Sequence, residues 1–246
     1  MSSISETGHY KNLANLDQMI SAALGYGEKF NPAKESISIN ALKVKRAAVQ
    51  TAFDGVSTAF PAYTNAVAER EVAFAPISKL VTRIFNSLKA SASTGRLDEA
   101  VRTLVRKIQG SRGSSGKSKT DVESSPSGEV KISISSSQMS YDNRLDNFDK
   151  LIKLLAGISS YAPNEEDLKV SSLTALYNSL KSKNDAVIAA EIPLSNARLA
   201  RNKELYEENT GLVDLAADVK SYIKSVFGAT SPEFKQVSGL LFTRLR

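Results

Sequence analysis

The sequence predicts an all-α protein: a tandem duplication of a helical-bundle unit with long antiparallel helical hairpins. Three observations predict it. The stretch Pro32 to Lys89 recurs without a gap from Pro163 to Lys220, matching at Glu35/Glu166, Leu42/Leu173, Asp54/Asp185, Val56/Val187, Ala59/Ala190, Asn65/Asn196, Ala66/Ala197 and Arg70/Arg201, each pair 131 positions apart. Apolar residues in both copies recur at spacings of three, four and seven, which places them on one stripe of a helix. Strand-like alternation is confined to Val130, Ile132 and Ile134, inside a serine-rich segment.

The first ten residues are polar and are expected to fray. A short entry helix follows, with Leu13, Leu16, Ile20, Ala23 and Leu24 at helical spacing, Asn12 or Asn15 as its cap, and Gly25 and Gly27 as its stop. In the second copy Leu145, Phe148, Ile152 and Leu155 carry the same face and Gly157 stands for Gly25. Pro32 suits the first turn of the long arm that comes next. Along that arm Leu42, Val49 and Val56 recur every seven residues, as Leu173, Leu180 and Val187 do in copy two. Such an arm is about 40 Å long at 1.5 Å per residue.

Pro61 and Pro193 fall at nearly equivalent points, and a helix is expected to reverse there, because proline lacks an N–H and clashes with the preceding turn. The second arms carry Val67, Phe74, Ile77, Val81, Ile84 and Leu88, and Leu199, Leu205, Leu212, Leu215, Val219, Ile223 and Val226. Pro76 and the pair Thr210-Gly211 interrupt the same region of each, which predicts a bend. Short closing helices are expected over Leu97–Ile108 and Phe234–Leu245, the latter opened by the cap Ser231-Pro232-Glu233. The organisation is then a first helical repeat over 1–108, a Ser/Gly-rich flexible linker over 109–140, and a second repeat over 141–246. The alternative is one merged bundle in which the arms of both copies pack together.

The net charge of +6 is uneven. Residues 1–108 carry 14 Lys/Arg against 9 Asp/Glu, whereas residues 141–246 carry 14 of each. A basic half is compatible with an acidic partner, nucleic acid or an anionic membrane, and equally with an ordinary solvated surface. The absence of cysteine removes disulfides, thiolate metal sites and cysteine nucleophiles together. No apolar run reaches the roughly 18 residues of a spanning helix, and the N-terminus has neither a cationic start nor an apolar core. A cytoplasmic protein is expected.

No constellation of catalytic residues stands out, and neither a metal nor a cofactor is expected. His9 has no second histidine to work with. Gly113-Ser-Ser-Gly-Lys117-Ser118 imitates part of a phosphate-binding loop, but Ser111 stands where the motif needs glycine, and neither the strand before it nor the helix after it is predicted. The repeated polar positions Asp54, Asn65, Arg70, Asp185, Asn196 and Arg201 are read as structural: an Asp–Arg pair across each hairpin and an asparagine capping each second arm. Arg102, Arg106, Lys107, Arg112, Lys117 and Lys119 form a basic run and a candidate contact surface. No aromatic residue lies between Phe85 and Tyr141 to stack on bases, which weighs against nucleic acid.

The segments SYDNRLDNFDKLIKLL (140–155), YAPNEEDLKVSSLTALY (161–177) and NARLARNKELY (196–206) resemble stretches of uncharacterised bacterial α-helical proteins. The resemblance covers mainly the second copy and implies a bacterial, non-enzymatic protein. The expected function is that of a non-catalytic scaffold or interaction protein, with a protein partner or self-association. The alternatives are a membrane-active helical protein, motivated by the alanine-rich stretch 59–75, and nucleic-acid binding through the basic first repeat and linker.

Overall fold

The computed structural model describes residues 4–110 and 139–244. Among these residues every regular element is helical: α1 (Ile4–Gly25), α2 (Ile39–Phe74), α3 (Ile77–Ala90), α4 (Gly95–Gln109), α5 (Tyr141–Ala156), α6 (Val170–Tyr206), α7 (Leu212–Phe227) and α8 (Pro232–Ser238). The phosphate-loop-like stretch, the alternation at Val130–Ile134, and Arg112, Lys117 and Lys119 lie outside the described residues.

Local chemistry sets several element ends. The Ser140 hydroxyl accepts from the Asn143 N–H at 3.2 Å to open α5, and the Ser231 hydroxyl accepts from the Phe234 N–H at 3.0 Å to open α8 with Pro232 in its first turn. The chain breaks at Pro76, between α2 and α3, and at 207–211, between α6 and α7, where the sequence predicts a bend. At the second break Asn209 takes φ +63°, and Gly211 packs so closely that a Cβ would lie 2.7 Å from the Glu207 backbone N and O.

The reversal expected at Pro61 and Pro193 does not occur. Each proline lies inside one continuous helix, α2 of 36 residues and α6 of 37. A mid-helix proline costs about 3 kcal/mol, which is comparable to burying one or two large apolar side chains at about 1.5–3 kcal/mol each. Leu42, Val49 and Phe53 before Pro61 and Phe74 after it are all buried, so burial anchors the helix on both sides of the proline. Both prolines are solvent-exposed, so water can satisfy the carbonyl that each leaves free.

Other expectations need correction. The long helices begin at Ile39 and Val170, each after a 3₁₀ turn (Glu35–Ile37 and Glu166–Leu168), and not at the prolines. The N-terminal residues do not fray as far as residue 10: α1 starts at Ile4, and His9, Asn12 and Asn15 are buried within it. The last helix ends at Ser238.

The chain divides into two compact units, and their boundaries are not those of the sequence copies. One unit contains residues 1–64 and 190–246, the other 65–189. The first has a core of Leu16, Met19 and Ala23 from α1, Leu42, Val49 and Phe53 from α2, Leu205 from α6, and Leu215, Val219 and Ile223 from α7. The core of the second joins Ile77, Val81, Ile84 and Leu88 of α3 and Val101, Val105 and Ile108 of α4 to Phe148, Leu151 and Leu155 of α5 and Leu173 and Leu180 of α6. Each core therefore combines helices from both sides of residues 111–138.

Candidate functional site

In the unit of residues 65–189, a polar chain lies where α2, α5 and α6 meet. Arg70 Nη1 donates to Asn184 Oδ1 at 3.0 Å, and Asn184 Nδ2 donates to Asp142 Oδ1 at 2.8 Å. The Arg70 guanidinium sits 4.0 Å from the centroid of the Tyr141 ring, which meets Phe74 edge-on at 4.8 Å. Arg144 lies over Phe74 at 5.3 Å, and burial lowers its pKa. The Nε atoms of Arg70 and Arg144 are buried and have no partner among the described residues.

Arg70 thus uses Asn184, and neither Asp54 of the expected pair nor Asp185, the repeated residue beside Asn184. A step of one residue turns the side chain by about 100° on a helix, and Asn184 is buried whereas Asp185 is exposed. The position of Asn184 on the apolar stripe, between Leu180 and Val187, is a sequence signal for this role. Asn65 and Asn196 are exposed within continuous helices and cap nothing.

The other unit holds the matching Arg201, which is buried and donates from Nε and Nη2 to Asn202 Oδ1. Asp54 is exposed and accepts from Gln50 Nε2 at 2.9 Å. Tyr10 stacks on Phe53 at 4.3 Å, and His9 Nδ1 lies 2.7 Å from the Tyr206 hydroxyl. Asn12 pairs with the Thr243 backbone in both directions at 2.9 Å, and Asn15 donates to the Leu241 carbonyl at 2.7 Å. These asparagines tie down the residues after α8, which explains their burial.

Two charge pins fasten the connections that precede the long helices. Arg83 of α3 holds Asp167 through both guanidinium nitrogens, one at 3.1 Å. The hydrogen bond from Arg83 keeps the Asp167 carboxyl below the usual carboxylate range. Lys34 Nζ holds Asp218 of α7 at 2.6 Å.

Beside the first pin is a shallow cleft of about 570 Å³, lined in part by Arg83, Asn86, Ser87, Tyr161, Asn164 and Glu165. Two of its polar groups are already engaged, Arg83 with Asp167 and the Tyr161 hydroxyl as donor to the Leu168 carbonyl at 2.9 Å. Burial, reinforced by Glu165 and Asp167, pushes the Tyr161 phenol up to about 12. Among the described residues no cluster of His, Asp and Glu could hold a metal ion.

Of the basic run, Arg102 and Arg106 lie on α4, each 3.8 Å from a Glu99 oxygen, and Lys107 is half-buried. No helix among the described residues is long and apolar enough to cross a membrane.

The long helix α6 carries two apolar stripes. One, with Val187 and Leu194, is buried. The other, with Ile192 and Leu199 in the unit of residues 1–64 and 190–246, is 58% and 64% exposed. At 100° per residue these two side chains lie about 20° apart. The chain matches no known protein family, no curated protein and no solved structure.

Proposed function

We propose that the protein is a non-catalytic scaffold which presents helical surfaces to other proteins, a second copy of itself included, and that it arose by tandem duplication. The duplication is supported by the matched residues and by the parallel order of elements. In each copy an entry helix, a 3₁₀ turn, a long helix of 36 or 37 residues, a break and two further helices follow one another.

The observation that carries the interaction role is the exposed pair Ile192 and Leu199, aligned on one face of α6. Large apolar residues aligned on one helix face mark an association surface, whereas scattered ones do not. The charges flanking it suit self-pairing. If two α6 helices meet antiparallel midway between residues 194 and 195, Glu191 faces Arg198 of the second copy and Arg198 faces its Glu191, so one surface complements itself about a twofold axis.

The test is molar mass by light scattering across protein concentration, for the wild type and for I192K/L199E. The wild type is expected to rise from monomer to dimer as concentration increases, and the variant to remain monomeric with an unchanged helical circular-dichroism spectrum. R198E is expected to weaken the dimer and E191R/R198E to restore it. A wild type that stays monomeric at every concentration refutes self-association through this face.

A further inference from the structure

The two charge pins have opposite polarity. The break between α6 and α7 shifts the register by four residues from the gapless sequence match, and the pairs Ile77/Leu212, Val81/Ala216, Ile84/Val219 and Leu88/Ile223 superpose four buried positions of α3 on four of α7. In that register Arg83 corresponds to Asp218. The preceding connections correspond through Pro32/Pro163, Glu35/Glu166 and Ile37/Leu168, which sets Lys34 against Glu165 and Ser36 against Asp167. In one unit a helix arginine holds a connection aspartate; in the other a helix aspartate holds a connection lysine.

Each pin also joins a helix of one copy to the connection of the other. If each copy closed on itself, Arg83 would face Lys34 and Ser36, and Asp218 would face Glu165 and Asp167. The self-closed arrangement would thus bring like charges together at both pins, whereas the crossed arrangement brings opposite charges together at both.

We propose that this crossed polarity makes each copy's connection recognise the helix of the opposite copy and reject its own, so that the surface beside the 3₁₀ turn of each copy is an interaction site whose partner is the other copy. The pins are about half exposed and add little to stability in themselves. Their effect lies in the difference between two pairings, where repulsion in the wrong one counts as much as attraction in the right one. The inference rests on the two-copy reading, but it uses none of the exposed α6 face.

The test uses the full chain with a protease site placed within residues 111–138 and cut after folding. The separation of the two fragments is followed by size exclusion across a urea series at low salt. The fragments of the wild type should remain together. R83D/D218R makes both crossed pins like-charged and both self-closed pins attractive, and its fragments should part at a clearly lower urea concentration. R83D/D167R/K34D/D218R reverses both pins while keeping the crossed polarity, and it should recover the wild-type midpoint. About 1 M salt, where the screening length falls to about 3 Å, should erase the differences.

A second readout adds G55C/A197C, whose Cβ atoms would lie about 4.0 Å apart, within disulfide range. The natural chain has no competing thiol. Oxidation should join the cut fragments in the wild-type and quadruple backgrounds and do so less in the double. Equal midpoints for wild type and double variant at low salt overturn the proposal. So does a quadruple variant that separates as readily as the double. If the double variant does not fold, the quadruple decides: recovery of the wild-type midpoint supports crossed recognition, and failure to recover overturns it.

Discussion

Replacing Pro61 with alanine should stabilise the unit that contains it. Pro61 lies within α2 and is solvent-exposed, so substitution removes no core contact. Alanine restores the N–H that can donate to the Ser57 carbonyl and relieves the clash of the proline ring with that carbonyl. The difference in helix propensity is about 3 kcal/mol. Loss of proline also frees the unfolded chain, which returns about 0.4–1 kcal/mol to the unfolded state. The net gain is therefore about 2 kcal/mol, or about 4–8 °C in Tm for a chain of this size. Pro193 lies exposed inside α6 in the same compact unit, and P193A should act in the same direction. The assay is urea and thermal unfolding by circular dichroism at 222 nm, with P61A, P193A and the double variant compared at matched concentration. A decrease in midpoint for either single variant, or no change in either, would mean that the prolines sit in reversals between separate helices, and it would refute continuous α2 and α6.

Three further outcomes follow from single sites. G211A should destabilise by about 1–3 kcal/mol, because its Cβ would meet Glu207 and Leu205 backbone atoms within 3 Å, and backbone cannot yield as a side-chain tip can; a urea midpoint equal to the wild type would contradict that packing. R70A should lower stability by about 1–3 kcal/mol, since it removes the cation over Tyr141 and leaves the buried Asn184 carbonyl oxygen without its donor; R70K should recover only part of the loss, because an ammonium cannot reproduce the planar stack. Burial raises the phenol of Tyr161 in the folded chain to about 12, from its ordinary value of 10.0. Its contribution is thus complete below pH 10 and is lost as pH rises from about 10 to about 12. Unfolding followed over this range should show a decline that Y161F reduces; an identical decline in Y161F would remove Tyr161 as the cause.

Much of the fold was legible because helix periodicity is a local property. The stripe through Leu42, Val49 and Phe53, the breaks at Pro76 and Gly211, and the cap at Ser231 each depend on residues a few positions apart. The candidate interaction sites were less legible. Arg70 stood out as a repeated residue, but its partner Asn184 is marked only by standing on the apolar stripe between Leu180 and Val187. Asn12 and Asn15 read as helix caps because asparagine is a good cap; they are buried because the chain around Leu241 and Thr243 comes to them from more than two hundred residues away.

The sequence by itself determined that this protein is helical, where the breaks at Pro76 and Gly211 and the cap at Ser231 fall, and which residues share a face. Only the tertiary structure decided that α2 and α6 pass through Pro61 and Pro193, and that each core draws on helices from both sides of residues 111–138. The physical reason is that periodicity sets the phase of a stripe but not the identity of its cover. Whether a proline ends a helix depends on comparing a local cost of about 3 kcal/mol with burial supplied by residues distant in the chain. The charges of Arg83, Asp167, Lys34 and Asp218 were likewise present in the residues from the start, but only the fold pairs Arg83 with Asp167 and Lys34 with Asp218.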